Sequence, residues 1–99
     1  MTSFSHVALI GFGEVGQTLA QDLTGKAVLS AWDIAFPDPQ SRPSQAAGRY
    51  AMRLGASAVD AVTDADLVIS AVTADQDFAA AEAVAGGLRE GAFFLDLNS

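Results

Sequence analysis

Short runs of apolar residues, each bounded by glycine or polar residues, alternate along the chain with longer segments of helical periodicity. The first run, residues 7–10, ends at a glycine and has the length of a strand buried on both faces. From Val15 onward apolar residues recur on one helical face until about Thr24 and Gly25, where a glycine is a fitting C-terminal cap. The chain therefore opens with a strand, a glycine turn and a helix.

The same alternation continues to the end of the chain. It predicts further strands at residues 27–32, 56–59, 67–72 and 92–97, and helical segments at residues 45–54, 60–64 and 74–88. Ser44 is the expected N-cap of the helix at residues 45–54, and Gly55 is expected to end it. Strands that alternate with helices are typical of α/β folds, so we predict one domain with a doubly wound parallel sheet of about five strands in the order 3-2-1-4-5.

The turn after the first strand contains Gly11, Gly13 and Gly16, the spacing of the dinucleotide-binding fingerprint G-x-G-x-x-G. This spacing is common by chance, but here it lies between a predicted strand and a predicted helix, as a Rossmann-type fold requires. Gly11 permits the tight bend, Gly13 lets the backbone approach a pyrophosphate, and Gly16 lets the helix lie close to the sheet. We predict that all of residues 11–16 bind the cofactor, the variable positions being Phe12, Glu14 and Val15.

Asp33 follows the second predicted strand, about 20 residues beyond the turn, where a ribose-binding carboxylate is expected. Such a carboxylate accepts hydrogen bonds from both hydroxyls of the adenosine ribose and repels the 2′-phosphate of NADP. Its neighbour Ile34, also a predicted cofactor contact, supplies no cation, whereas Arg42 lies further along and is able to reach back. We favour NAD over NADP, and leave open that Asp33 is only a solvated turn residue ahead of Pro37.

Composition narrows the classes of partner and compartment. A net charge of −7 with only 5 Lys and Arg residues argues against nucleic acid as a partner. No apolar stretch approaches the roughly 18 residues that cross a bilayer, and the N-terminus has no basic region like that of a signal peptide, so we predict a cytoplasmic protein without membrane contacts. The absence of cysteine excludes disulfides, thiolate metal sites and a cysteine nucleophile, and we predict no metal.

Two further features carry weaker chemical information. His6, the only histidine, stands at the start of the first strand and is expected to be a surface residue without a chemical role. Residues 36–43 contain all 3 prolines, which limit that segment to extended and turn conformations. The segment forms either one wall of an adenine pocket or a plain surface connection.

The chain as a whole resembles the N-terminal nucleotide-binding domain of the β-hydroxyacid dehydrogenases, the family that includes 3-hydroxyisobutyrate and 6-phosphogluconate dehydrogenases. The resemblance rests on residues 10–16, 65–72 and 94–99, of which the last, a strand ending in Asp-x-Asn-Ser, is the most specific. The chain is most similar to a branch described as 6-phosphogluconate-dehydrogenase-like. The resemblance implies cofactor contacts at Val72, Thr73 and Ala74 and a loop facing the nicotinamide and the substrate at Asn98 and Ser99.

The resemblance also implies a helical substrate domain with a catalytic lysine, which we expect to be absent from these 99 residues. Lys26, the only lysine, lies in the turn after the first helix, so we expect no catalytic residue in this chain. Many family members have Asn-Arg where this chain has Asp33 and Ile34, which weakens the transfer of their NADP preference. The favoured hypothesis is the cofactor domain of an NAD(P)-dependent dehydrogenase of small hydroxy acids, inactive by itself.

Two other functions use the same turn. One is a complete nucleotide-sensing or regulatory module whose partner responds to bound NAD, and the other is a Rossmann-like domain for another nucleotide such as S-adenosylmethionine. In the predicted strand order, the fifth strand is an apolar sheet edge at residues 93–97. We therefore expect homo-oligomers to form through that edge or a neighbouring face.

Overall fold

A computed structural model describes residues 4–71, 84, 86–88 and 90–97. The described strands form one parallel sheet in the order β3-β2-β1-β4-β5. They are β1 (His6–Ile10), β2 (Val28–Trp32), β3 (Arg53–Leu54), β4 (Leu67–Ser70) and β5 (Phe93–Asp96). The predicted Rossmann-type doubly wound sheet and its strand order are confirmed.

Helices cover both faces of this sheet. In the described part of the chain they include α1 (Glu14–Leu23), α2 (Arg42–Ala47) and α3 (Ala58–Val62). The face covered by α1 and α2, which we call the α1 face, carries a buried cluster that includes Val7, Leu9 and Ile69. The opposite face, the α3 face, carries a second cluster that includes Ala8, Ile10 and Val68. Alternate residues of β1 therefore enter different cores, which is why the strand is a continuous apolar run.

The helix after the glycine turn has the predicted extent. Gly13 is its N-cap and Thr24 its C-cap, and the Thr24 N–H donates to Ala20 O. Gly25 follows with a φ of +83°, a conformation that favours glycine. Ala20 is fully buried against the sheet, whereas Gln21 and Asp22 are exposed, as the amphipathic pattern predicted.

The helix predicted at residues 45–54 is wrong at both ends. Ser41 rather than Ser44 is the N-cap of α2, and its Oγ accepts the Ser44 N–H at 3.3 Å. Pro43 lies in the first turn, where a missing N–H leaves no hydrogen bond unmade. The helix ends at Gly48. Residues 53–54 instead form an edge strand, in which Arg53 pairs with Ser30 and Leu54 with Ala31 on the side of β2 that faces away from β1.

The strand predicted at residues 56–59 is also wrong. Ser57 caps α3, and its Oγ accepts the Asp60 N–H at 3.0 Å, so capping prevails over a short apolar pattern. Gly55 ends no helix but follows β3, where a Cβ would lie 2.8 Å from the Ala61 Cβ. Most of the helix predicted at residues 74–88 lies outside the described residues, although Val84 is helical and buried on the α3 face.

His6 is half-buried rather than on the surface. Its Nε2 lies 2.8 Å from Ser30 Oγ, and the Ser30 hydroxyl donates to Ala61 O at 2.5 Å. Because the single hydroxyl proton is directed at Ala61, the imidazole Nε2–H is the donor to Ser30. This chain of hydrogen bonds joins β1, β2 and α3 at the edge of the sheet opposite the glycine turn.

Asp60 organises the turn between β3 and α3. Its Oδ2 accepts the Ala56 N–H at 2.8 Å and lies 3.1 Å from Arg53 Nη1, while Arg53 Nη2 donates to Asp60 O at 2.8 Å. The hydrogen bond from Ala56, together with the Arg53 charge, holds the pKa of Asp60 below its ordinary value. Both side chains are about half exposed, so solvent screens the pair.

We expect Asp60→Asn to lower the melting temperature at neutral pH and to have less effect near about pH 2. Because the folded-state pKa is lowered, the stabilisation is present above the unfolded-state value of about 4 and is lost as the pH falls through the folded-state value. Thermal denaturation of both proteins from neutral to acid pH measures this difference. Asp22→Asn, an exposed position on α1, controls for loss of charge; a difference independent of pH would contradict the assignment.

Candidate functional site

The carboxyl ends of β1 and β2 bring the glycine turn and Asp33 together. Gly11 has a φ of +94°, and its N–H donates to Trp32 O at 2.8 Å, so the bend continues the ladder between the two strands. The Phe12 N–H then donates to Asp33 Oδ2 at 2.7 Å, and the Ala35 N–H donates to Oδ1 at 2.8 Å. Each carboxylate oxygen thus binds a backbone amide, one in the turn and one in the loop after β2.

Sequence reasoning missed this contact between Asp33 and the turn. The bond from the Ala35 N–H closes a local Asx turn, which an aspartate at the start of a loop often forms and which sequence alone indicates. The bond from Phe12 joins residues 21 positions apart and exists only because Ile10 is in register with Trp32. Asp33 is half-buried, so it is more than a solvated turn residue.

Two glycines of the turn are required for different reasons. A Cβ on Gly16 would overlap the carbonyl oxygen of Gly11 and lie 3.3 Å from Phe12 Cδ1. The crowding is between the helix and the turn itself, whereas the sequence argument placed it between the helix and the sheet. A Cβ on Gly13, the exposed N-cap of α1, would have no heavy atom within 4 Å. Gly13 therefore presents open backbone at the edge of the sheet.

Phe12 anchors the turn in the α1-face core. Its ring is fully buried, with ring centroids 6.2 Å from Phe36 and 6.0 Å from Tyr50. Its carbonyl accepts a hydrogen bond from Gln17 Nε2 at 3.3 Å. With its N–H on Asp33, all the polar backbone groups of Phe12 contact the protein, so its role in any cofactor site is to hold the turn.

The first turn of α1 provides amides for an anion. The Gln17 N–H donates to Gly13 O at 3.0 Å, so the amides of residues 14–16 precede the first helical hydrogen bond. Glu14 is exposed, and Val15 is 50% exposed. Free amides and the positive end of the helix dipole attract an anion here without a cationic side chain.

A cavity of about 220 Å³ lies at the same edge of the sheet, where Trp32, the residue before Asp33, forms part of its lining. Its walls come from the loop after β2 and the segment after β3, and its lining is Trp32, Phe36, Pro37, Leu54, Gly55 and Ala56. The lining is mostly apolar and includes two aromatic rings, which suits a planar ring system. Phe36 and Pro37 of the proline-containing segment therefore line a cavity, and that this cavity holds adenine stays a prediction.

A second, more open groove of about 650 Å³ follows the outer side of α1. It extends from Glu14 to Gln21 and is bounded across from the helix by Arg49 and Tyr50. Glu14 and Val15 of the turn line this groove, whereas Gly13 and Asp33 do not. Arg42, in the first turn of α2, is exposed.

The remaining predicted contacts, Val72, Thr73, Ala74, Asn98 and Ser99, lie outside the described residues. The strands that lead to them, β4 and β5, run parallel to β1, so their carboxyl ends lie at the edge of the glycine turn. Among the residues that the structure describes, no group of three or more acidic or histidine side chains is placed to hold a metal ion. None of the described helices has the length and apolar character needed to cross a membrane.

We expect Gly16→Ala to lower the free energy of unfolding by about 1–3 kcal/mol, because the added methyl group has no space beside Gly11 O. Gly13→Ala is the matched control, since φ −81° and ψ −153° are accessible to alanine and the space is open. Its effect should stay below about 1 kcal/mol. Denaturant unfolding of the two variants measures the difference, and equal losses would refute the assigned contact.

The chain matches a known protein family. Residues 6–98 match the sequence profile of the family described as "NADP oxidoreductase coenzyme F420-dependent". No curated protein matches the chain significantly.

Solved structures share the fold. A conserved hypothetical protein from Sinorhizobium meliloti 1021 has a TM-score of 0.83 at 33% identity, over 95% of this chain and 32% of that one. The 3-hydroxyisobutyrate dehydrogenase of Mycobacterium tuberculosis, solved with L-serine, has a TM-score of 0.80 at 25% identity, over 95% and 31%. Prephenate dehydrogenase from A. aeolicus, solved with hydroxyphenyl propionate and NAD+, shares the fold with a TM-score of 0.74 at 21% identity. The match covers 99% of this chain and 35% of that protein. The chain thus spans about a third of the length of these proteins.

Proposed function

We infer that this chain, which belongs to the family described as "NADP oxidoreductase coenzyme F420-dependent", supplies the cofactor-binding part of an enzyme that oxidises a small hydroxy acid. The family match shows an NADP-binding oxidoreductase domain, and the similarity to 3-hydroxyisobutyrate dehydrogenase supports its assignment to the N-terminal domains of the β-hydroxyacid dehydrogenases. The proposal goes further to a substrate of the 3-hydroxyisobutyrate or 6-phosphogluconate class. One observation carries the cofactor assignment: the Phe12 amide fixes the glycine turn to Asp33 at 2.7 Å.

The described residues fit a dinucleotide lying along the carboxyl edge. The pyrophosphate would lie over Gly13 and accept hydrogen bonds from the amides of residues 14–16. The ribose hydroxyls would donate to Asp33, whose oxygens each have a second acceptor position besides the amide that they bind. The adenine would enter the cavity walled by Phe36 and Pro37. The bound cofactor would supply the hydride acceptor, and these residues would hold and orient it.

The substrate and the catalytic residues belong, in this proposal, to a second domain of a longer protein. The chain covers 32% of the Sinorhizobium protein and 31% of the Mycobacterium dehydrogenase, so most of each relative lies outside the matched region. Lys26, the only lysine, is exposed in the turn before β2, at the edge opposite the glycine turn. We propose that these 99 residues bind dinucleotide without turnover, Ser99 being the position nearest the substrate.

We propose NAD as the preferred cofactor, although the family description names NADP. A 2′-phosphate would meet the Asp33 carboxylate, which two backbone amides hold in place. A carboxylate held in this way cannot swing aside without leaving the amide of Phe12 unpaired. Ile34 beside it is 56% exposed and brings no compensating charge.

Titration of the purified chain with NADH and NADPH tests the function and the preference together. We expect NADH to bind with a Kd below about 1 mM, corresponding to about −4 kcal/mol, and NADPH to bind less tightly. Asp33→Ala should weaken NADH binding and bring the two Kd values closer or invert them. Loss of support for the turn affects both cofactors alike, so the ratio of Kd values isolates the ribose contact.

Asp38→Ala is the control, because Asp38 is an exposed carboxylate in the same loop. It should leave the ratio unchanged. Failure of both cofactors to bind would refute the cofactor proposal for this chain, and an unchanged ratio in Asp33→Ala would refute the ribose contact.

We also propose that the 99-residue chain self-associates weakly through β5. Phe93, Phe94, Leu95 and Leu97 are 61%, 41%, 48% and 45% exposed, and β5 is the last strand of the described sheet. An apolar edge strand without lysine or proline lacks the usual protection against pairing. The net charge of −7 opposes association, so salt should favour it.

Sedimentation velocity over a range of protein concentrations measures this association. The sedimentation coefficient should rise with concentration, and more steeply at high than at low ionic strength. Leu95→Lys should suppress the rise, whereas Val28→Lys, at a 66% exposed position in β2, should not. A clean monomer at high protein and salt concentration would contradict the proposal.

A further inference from the structure

Phe93, Leu95 and Leu97 form a row of apolar side chains, which we call the β5 strip. Phe93 is in register with Leu67 and Leu95 with Ile69, and paired residues of parallel strands point to the same face. Leu67 and Ile69 belong to the α1-face cluster, so the β5 strip lies on the α1 face. Ile69 is only 5% exposed, whereas the members of the strip are 61%, 48% and 45% exposed. The ring of Phe4, which packs on the α1-face cluster, lies edge-on to Phe93 with ring centroids 5.8 Å apart, but the fully buried part of the α1-face core stops at β4.

The handedness of the connections explains why it stops there. Helices α1 and α2 lie on the α1 face and connect strands that proceed from β1 to β3, whereas α3 leads back to β4 on the other face. Right-handed connections that proceed from β4 to β5 and beyond remain on the α3 face. Val84, between β4 and β5 in sequence, is buried in that face. A further strand added beside β5 in the same way would therefore leave the β5 strip uncovered.

We propose that the β5 strip is the docking surface for an amphipathic helix from the part of a longer protein that lies outside these 99 residues. The inference rests on the proposed function, in which a second domain accompanies the cofactor domain. The chain covers only 32%, 31% and 35% of the three solved structures, so in those proteins about two-thirds of the polypeptide is available to supply such a helix.

The dimensions of the strip fit one helix. Alternate residues on a strand are about 6.7 Å apart, so the three side chains extend over about 13 Å. Two helical turns span about 11 Å and present apolar residues at positions i, i+3 or i+4, and i+7 on one face. The strip contains no charged side chain, so the matching face of the helix should be apolar throughout. The first helix packs on β1 and β2 in the same way, through Leu19, Ala20 and Leu23.

A second copy of the chain fits the strip less well. The three side chains leave on the order of 300 Å² uncovered, whereas each partner in a stable complex of two proteins buries about 800 Å². Two copies that each carry a net charge of −7 also repel one another. A helix attached through the same polypeptide needs less area, because its local concentration is high.

A thiol placed on the strip tests the proposal. The 99 residues contain no cysteine, so Leu95→Cys introduces the only thiol in this region. We compare its rate of maleimide labelling in the 99-residue chain and in the longer protein from the same gene, with the unsubstituted longer protein as background. Labelling should be at least about tenfold slower in the longer protein. Val28→Cys, at a 66% exposed position, should label equally in both.

A photoactivatable crosslinker on the same thiol identifies the occupant. It should join residues spaced three or four apart in a segment outside residues 1–99. Equal labelling of Leu95→Cys in the two proteins would overturn the proposal, as would a gene that stops after Ser99 or protection that disappears on dilution. Titration with NADH separates the failures: binding without protection refutes only the docked helix, and protection without binding refutes only the cofactor function.

Discussion

The hydrogen bond from the Phe12 amide to the Asp33 carboxylate is the contact on which the cofactor edge depends. Phe12 and Asp33 are 21 residues apart in sequence and follow the ends of β1 and β2, and their N–H···Oδ2 distance is 2.7 Å. A bond to a charged acceptor contributes about 1.5–3 kcal/mol, somewhat less here because Asp33 is only half-buried. The buried ring of Phe12 holds the same residue from the other side, so the turn is fixed by a polar and an apolar contact together. These two contacts together hold the turn so that the backbone of Gly13 faces open space.

Asp33 therefore has a structural role in the turn and a proposed role in cofactor binding. As an acceptor of backbone amides it shapes the turn, and as a proposed acceptor of ribose hydroxyls it selects the cofactor. Substitution at Asp33 changes both, so a loss of NADH affinity identifies the ribose contact only when it is compared with the change in NADPH affinity. The acidic character of the chain is compatible with an anionic ligand because backbone amides, rather than cationic side chains, face the proposed pyrophosphate.

The two faces of the sheet are covered unequally, and handedness is the reason. Each change of direction along the sheet moves the connecting helix to the other face, so α1 and α2 cover the strands from β1 to β3 on one side only. The apolar side chains of β5 on that side stay about half exposed, although the ring of Phe4 packs against Phe93. This uneven burial is consistent with a domain that functions beside another one, and it links the proposed second domain to the exposed β5 strip.

The strand order followed from the fold class that the alternation of strands and helices and the glycine turn indicated. Local patterns in the sequence were sufficient for the apolar strands β1, β2, β4 and β5 and for α1, because each of these elements is signalled by periodicity within a few neighbouring residues. They failed between Ser41 and Val62, where capping serines and an edge strand of two residues compete over short segments. The types and spacing of Gly11, Gly13, Gly16 and Asp33 were also evident from sequence. Only the tertiary structure decided that Asp33 binds the Phe12 amide, that Gly16 is crowded by Gly11 O, and that β5 stays about half exposed on the α1 face. These depend on strand register and connection handedness, which bring together residues that no local pattern relates.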